Sequence, residues 1–160
     1  TRQVTGEMIR VGSDELMNQL GPLQQRAQTA EVALQIATPS SVASQVSVNE
    51  LQFILYSFID NALNFTPQGG QIDVIVERVK TGDVTIMVTD TGAGIPQDKL
   101  ETLLQPFARG TDTGIYNYQG IGLSLYVVRL IAERYGGMVT IASQVGKGTT
   151  VTFMVKSKAK

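Results

Sequence analysis

At 160 residues, 42% hydrophobic and 17% charged, the chain has the make-up of one globular domain with room for a real core. A formal net charge of −1 supplies no basic field for nucleic acid or a membrane surface. Without cysteine there is no disulfide, thiolate metal site or thiol nucleophile; without histidine there is no Ser-His-Asp triad, imidazole metal site or phosphohistidine acceptor in this chain.

No apolar run reaches the length of a transmembrane helix, and Thr1-Arg2-Gln3-Val4 carries no signal-peptide pattern. A start at Thr1 rather than Met reads as a fragment of something longer. In chain order, Met8-Ile9-Arg10-Val11 predicts a short edge strand. Ser13-Asp14-Glu15 then opens a helix that runs to about Ala30, broken or kinked at Gly21-Pro22. Val32 to Ala37 predicts a strand, and Thr38-Pro39-Ser40-Ser41 a loop.

Ser47 is placed to cap the next helix, with Glu50 three residues on to complete a capping box. Leu51, Ile54, Leu55, Phe58, Ala62 and Phe65 form its apolar stripe. Ser57, Asp60, Asn61 and Asn64 gather on a separate face; Asn and Asp are poor helix-interior residues, so the cluster is either a solvated face or a site. Thr66 to Gly70 ends the helix as a turn. Gln71 to Lys80 and Asp83 to Thr89 follow as a hairpin around Thr81-Gly82-Asp83, with Ile72, Val74 and Val76 on one side and Val84, Ile86 and Val88 facing one way.

That second strand runs into Asp90-Thr91-Gly92-Ala93-Gly94-Ile95-Pro96. A carboxylate at a strand end, followed by two glycines, offers an acceptor where a flat group can approach the backbone. An adenine amine fits such an acceptor, whereas guanine presents a carbonyl there; a plain strand-to-loop turn is the other reading. Gln97 to Gln105 predicts a short helix. The segment from Pro106 to Gly120 is long, glycine-rich and aperiodic, which suits a lid. The last helix starts at Gly120-Ile121-Gly122-Leu123-Ser124-Leu125, buries Leu125, Val128, Ala132 and Tyr135, and is closed by Gly136-Gly137. Met138 to Gln144 and Thr149 to Val155 are two more alternating strands, and Lys156 to Lys160 a frayed tail.

Clean alternation in the hairpin and the last two strands, with amphipathic helices near 14–30, 48–65 and 122–135, predicts a two-layer α/β (α+β) sandwich. Its mixed, largely antiparallel sheet has about three helices on one face. Neither GxGxxG after a strand nor GxxxxGK[ST] occurs, which removes both familiar phosphate loops.

Four segments stand in order: Asp60-Asn61-Ala62-Leu63-Asn64-Phe65-Thr66-Pro67, Asp90-Thr91-Gly92-Ala93-Gly94, Pro106-Phe107-Ala108-Arg109 and Gly120-Ile121-Gly122-Leu123-Ser124-Leu125. The series resembles the N, G1, F and G2 boxes of the catalytic, ATP-binding domain of two-component sensor histidine kinases, within the superfamily that includes DNA gyrase, Hsp90 and MutL. The resemblance covers essentially the whole chain as one domain and implies a Bergerat-type fold, with the dimerisation and phosphoacceptor domain lying elsewhere.

The resemblance implies ATP and Mg²⁺ as ligands. Asn61 would offer its side-chain oxygen to Mg²⁺ and serve catalysis together with Ser57. Asp90 would accept from the adenine amine, with Gly92, Gly94 and Ile95 around the base. Gly120, Ile121, Gly122 and Leu123 would face the phosphates, Phe107 would hinge the lid, and Arg109 and Asn64 would lie toward the phosphates. Partners would be a histidine-bearing dimerisation domain of the same kinase and a downstream response regulator, in the cytoplasm, without nucleic acid or direct membrane contact.

Two departures qualify that picture. Such kinases usually carry another Asn one turn before the Mg²⁺ residue, and gyrase-like ATPases a Glu; this chain has Ser57. Many also carry Lys or Arg three residues after it; this chain has Asn64. A catalytically weakened nucleotide-binding regulator, another ATPase of the superfamily, and an anti-sigma-type kinase are therefore the competing readings. An isolated chain without histidine is expected to bind nucleotide without phosphorylating itself.

Overall fold

The computed structural model describes residues 9–78, 83–103 and 119–156. The expected lid with Phe107 and Arg109, the Thr81-Gly82 turn and most of the expected tail lie outside the described residues.

A five-stranded sheet carries the fold. Its strands are β2 (Ala33–Ala37), β4 (Gln71–Arg78), β5 (Val84–Asp90), β6 (Met138–Gln144) and β7 (Gly148–Val155), in the order β2-β4-β5-β7-β6. Only β2 runs parallel to its neighbour; the other three pairings are antiparallel. The sheet is thus mixed and largely antiparallel, as the alternation predicts. β1 (Ile9–Gly12) and β3 (Ser41–Ser44) form a separate antiparallel pair.

Register carries the apolar parity of each strand across to the next. Val74, Val88, Val151 and Ile141 form one row on the inner face, and Val76, Ile86, Phe153 and Val139 the next. Val74, Ile86, Val88 and Phe153 are all at or below 2% exposure, so this face is a dry floor. At one end the same parity places Ile72, Asp90, Thr149 and Ser143 in a row, so a carboxylate and two hydroxyls continue the apolar surface.

Helices roof this floor. α3 (Val48–Phe65) begins with the capping box: Ser47 Oγ accepts from the Glu50 N–H at 3.2 Å, and Glu50 Oε1 accepts from the Ser47 N–H at 3.4 Å. Its stripe of Leu51, Ile54, Leu55, Phe58 and Ala62 is buried, and each large side chain so buried contributes roughly 1.5–3 kcal/mol. α5 (Gln119–Arg134) packs beside it over β6 and β7, burying Leu125, Val128 and Ala132. α4 (Gln97–Leu103) lies against α5 and β6.

Two expectations are refined. The interrupted first helix is two helices, α1 (Ser13–Met17) and α2 (Gly21–Thr29), because Pro22 suits only a first turn and so starts a new helix. The loop expected at Thr38 to Ser41 ends at Ser40, because Ser41 opens β3, which four residues of no marked periodicity conceal. β3 exists through its pairing with β1, some thirty residues away (Arg10 with Ala43).

Candidate active site

A narrow, half-open cleft, with about 390 Å³ of empty space including its mouth, lies between the sheet floor and the α3–α5 roof. Phe58, Ala62, Phe65, Val88, Ile95, Leu125, Ile141 and Val151 give it apolar walls; Asn61, Asp90 and Thr149 are its polar members. Mostly apolar walls with a few convergent polar groups are what a small-molecule site needs.

Asp90 is 7% exposed at the end of β5. Its Oδ1 accepts from the Gly92 N–H at 2.8 Å, and the Thr149 N–H also stabilises the carboxylate. Burial nonetheless dominates and raises its pKa above the ordinary carboxylate value, with those two backbone donors pulling it back down. A desolvated acceptor on an apolar floor, fixed by its own backbone, is a selective partner for a planar amine.

The loop after Asp90 is tied down on three sides. The Ala93 N–H donates to Phe65 O at 3.3 Å, the Gly146 N–H donates to Ala93 O at 2.8 Å, and the Ile95 N–H donates to Ser143 Oγ at 2.7 Å. The glycines make this possible. A Cβ at Gly92 would sit 2.3 Å from the Phe65 carbonyl oxygen, and one at Gly94, where φ is 78°, would sit 2.2 Å from Gln144 O. The room they leave is taken up by the protein's own backbone, which locks the loop to α3 and to the β6–β7 turn. Neither glycine is among the residues lining the cleft; Ile95 is.

Opposite Asp90, Asn61 projects from α3, and its Nδ2 donates to Ser124 Oγ of α5 at 3.4 Å. A second rung joins the same helices at their far ends. Tyr135 Oη donates to Glu50 Oε1 at 2.7 Å, and Arg134 Nη1 lies 3.5 Å from Glu50 Oε2. From Glu50 to Asn61 is as many residues as from Ser124 to Tyr135, so the antiparallel helices are bolted in register at both ends. Burial raises the Tyr135 pKa, and the Glu50 carboxylate pushes it further the same way.

The other expected residues are dispersed. Ser57, one turn before Asn61, is 6% exposed and does not line the cleft. Asn64 is exposed and accepts from Arg26 Nη2. Gly120, Ile121 and Gly122 fall in the first turn of α5, with Leu123 just beyond, where backbone N–H groups have no intrahelical acceptor. Thr149 lines the cleft and Ser143 holds the Ile95 N–H although no local pattern marks either; only the parity of Asp90 with Val88 hinted that its strand partners would share its face, and Ser124, within the fourth box, was given no role of its own.

With that geometry in place, known proteins supply the kinship. The profile of the histidine kinase-, DNA gyrase B- and HSP90-like ATPase family matches residues 47–159. The chain belongs to that family. Within it, the chain is of the sensor histidine kinase type. It is 36% identical over 133 residues to the histidine protein kinase DivJ of Caulobacter vibrioides, covering 81% of this chain and 22% of that protein. It is 29% identical over 156 residues to the adaptive-response sensory kinase SasA of Synechococcus elongatus, covering 93% of this chain and 40% of that one. The chain therefore spans well under half the length of these curated relatives. The catalytic domain of histidine kinase ThkA superposes with a TM-score of 0.75 at 22% identity, covering 94% of this chain and 96% of that one. This likeness establishes the Bergerat fold of histidine kinase ATP-binding domains.

Proposed function

We propose that this ATP-binding domain holds Mg-ATP in the cleft and delivers the γ-phosphoryl group to a histidine on a separate dimerisation domain, for onward relay to a response regulator. The buried Asp90 at the end of an apolar floor carries the reading. Its carboxylate accepts from the adenine amine, with Phe58, Ile95 and Val151 among the apolar side chains around the base and Thr149 beside it. From there the phosphates reach toward the α3–α5 seam, where Asn61 offers an amide oxygen and the first turn of α5 offers backbone N–H groups.

The donor set fits a magnesium ion that arrives with the nucleotide. Among the described residues no group of three or more His, Asp and Glu side chains is placed to cage a cation by itself. Mg²⁺ usually takes one or two protein oxygens and fills the rest of its octahedron with phosphate and water. When bound, it would neutralise phosphate charge. The chain's own residues orient the nucleotide, keep water from the base and leave the terminal phosphate toward the roof's edge. Transfer breaks the bond between the γ-phosphorus and the bridging oxygen and forms a bond to an imidazole nitrogen, with ADP as leaving group. This chain contains no histidine, so the acceptor belongs to another segment or chain.

Thermal unfolding with ATP, ADP and GTP, each with and without Mg²⁺, tests the binding half. Ligand at about a hundred times its Kd adds roughly 2.7 kcal/mol, a rise of about 5–10 °C for a domain of this size. The reading expects that rise with ATP and ADP but not with GTP; no rise with any nucleotide would overturn it. Adding a histidine-bearing dimerisation domain with labelled ATP tests transfer, with acid-labile label expected on that domain and none on the chain alone.

Ser57 favours a second reading, a nucleotide-binding regulator with little transfer activity. A buried hydroxyl at that position is a poor proton acceptor at neutral pH unless a base activates it. Ordinary transfer rates that Ser57→Asn leaves unchanged would exclude it.

A further inference from the structure

Arg26 has no part in the functions described so far. It stands in the last turn of α2, and its guanidinium reaches over to α3. There Nη1 donates to Asp60 Oδ1 at 2.5 Å, and Nη2 donates to Asn64 Oδ1. Asn64 follows Asn61 by three residues, so the two are neighbours on the helix surface, and Asn61 lines the cleft. The side chains of Arg26 and Asp60 keep 41% and 36% of their exposure, so solvent and ligand can reach the guanidinium. These two bonds engage two of its five N–H donors.

We infer that Arg26 is a phosphate-binding residue of this site, bringing from α2 a positive charge to the turn of α3 that holds the neutral Asn64. The inference rests on the Mg-ATP reading of the cleft and deepens it. A guanidinium is a planar fork that matches two phosphate oxygens at once. Asp60 and Asn64 hold the fork in a fixed orientation one turn from Asn61. A polyphosphate brings more negative charge than the single Asp60 carboxylate and competes with it for the fork. Asp60 is thus a resting partner, occupying the guanidinium until phosphate arrives.

The ordinary alternative is a staple between α2 and α3, and the two roles leave different signatures. A half-exposed ion pair adds little to stability, and a staple would alter the affinity of every ligand alike. A phosphate contact acts in proportion to the phosphates present and is indifferent to the base.

Isothermal titration calorimetry with Mg-ATP, Mg-ADP and adenosine separates them, using the wild-type chain, Arg26→Gln, Arg26→Lys, Asp60→Asn and the double variant Arg26→Gln/Asn64→Lys. Arg26→Gln should weaken Mg-ATP by about tenfold, weaken Mg-ADP less and leave adenosine unchanged. Arg26→Lys, a charge without the fork, should fall in between and serves if Arg26→Gln does not fold. Asp60→Asn should tighten Mg-ATP, and the charge moved to position 64 should recover most of the loss. Equal weakening of adenosine and Mg-ATP would overturn the inference in favour of the staple. Mg-ATP binding that is strong in wild type and unchanged in Arg26→Gln would overturn it alone. A wild-type chain that binds none of the three ligands would overturn the reading of the cleft along with it.

Discussion

At the Asp90 end of the cleft, the candidate side chain is seated by backbone. Two N–H groups hold its carboxylate, and a loop that only glycines permit clamps the strand end to α3 and the β6–β7 turn. At the Asn61 end, side chains do the positioning: Ser124 meets Asn61, Arg26 spans Asp60 and Asn64, and Glu50 meets Tyr135 at the far end of the helix pair. Backbone clamps are buried and tolerate no change of shape. Side-chain clamps are partly exposed and can exchange partners. On the proposed reading, recognition of the base would rest on a rigid part of the molecule, and handling of the phosphates on an adjustable one.

The largest expected effect breaks the rigid end. Gly94→Val adds both a strained positive φ and a Cβ 2.2 Å from Gln144 O. That should cost about 3 kcal/mol and lower Tm by roughly 6–12 °C, as calorimetry would show. A shift under 2 °C would mean that the loop is not clamped.

Asp90→Asn should cost about 2–3 kcal/mol of nucleotide affinity, which titration calorimetry measures, because the new amide donates where the adenine amine donates. Fold stability should respond in the opposite sense. Burial raises the Asp90 pKa, so its contribution is fully present below the unfolded carboxylate pKa and is lost as pH rises through the folded value. At pH 7 the neutral variant should therefore have a Tm equal to or above that of the wild type. The same shift predicts that ATP affinity, flat near neutrality, falls on acidification at a higher pH than an ordinary aspartate would set. A drop in Tm of several degrees, or affinity indifferent to pH down to the ordinary carboxylate range, would contradict this account.

The side-chain clamps, including those at the far end of the helix pair, should give smaller changes. Ser47→Ala should cost about 1 kcal/mol, read by urea denaturation, since it leaves the Glu50 N–H without its cap acceptor. Tyr135→Phe should cost a similar amount, about 0.5–1.5 kcal/mol, by removing the Tyr135 hydroxyl that donates to Glu50 from α5. As a control, Glu133→Gln, which breaks the exposed Arg129–Glu133 pair, should change stability by no more than about 0.5 kcal/mol. If the Tyr135 variant proved as damaging as Gly94→Val, the contrast between backbone and side-chain clamps would fail.

Much of this was legible in the chain because it is local. The capping box, the α3 stripe, the hairpin parity and the four ordered boxes each depend on residues within a few turns of one another. Val84, Ile86 and Val88 even fixed the face on which Asp90 emerges. β1 was legible as a short strand, but β3 and its pairing with β1 were not, since a four-residue strand such as Ser41-Val42-Ala43-Ser44 acquires its identity from a distant partner. The glycines were read as room for a ligand, while the structure shows that space filled by Phe65 and Gln144 carbonyls, a contact no local spacing encodes.

The sequence by itself determined the succession of most strands and helices, which faces are apolar, and the absence of a histidine acceptor within this chain, because periodicity and composition are properties of the chain alone. Only the tertiary structure decided that Thr149 and Ser143 share the row of Asp90, that Ser124 meets Asn61, and that an arginine from α2 stands beside Asn64. Those meetings depend on strand register and helix packing between residues far apart in sequence, and their free energy exists only once the roof has closed on the floor.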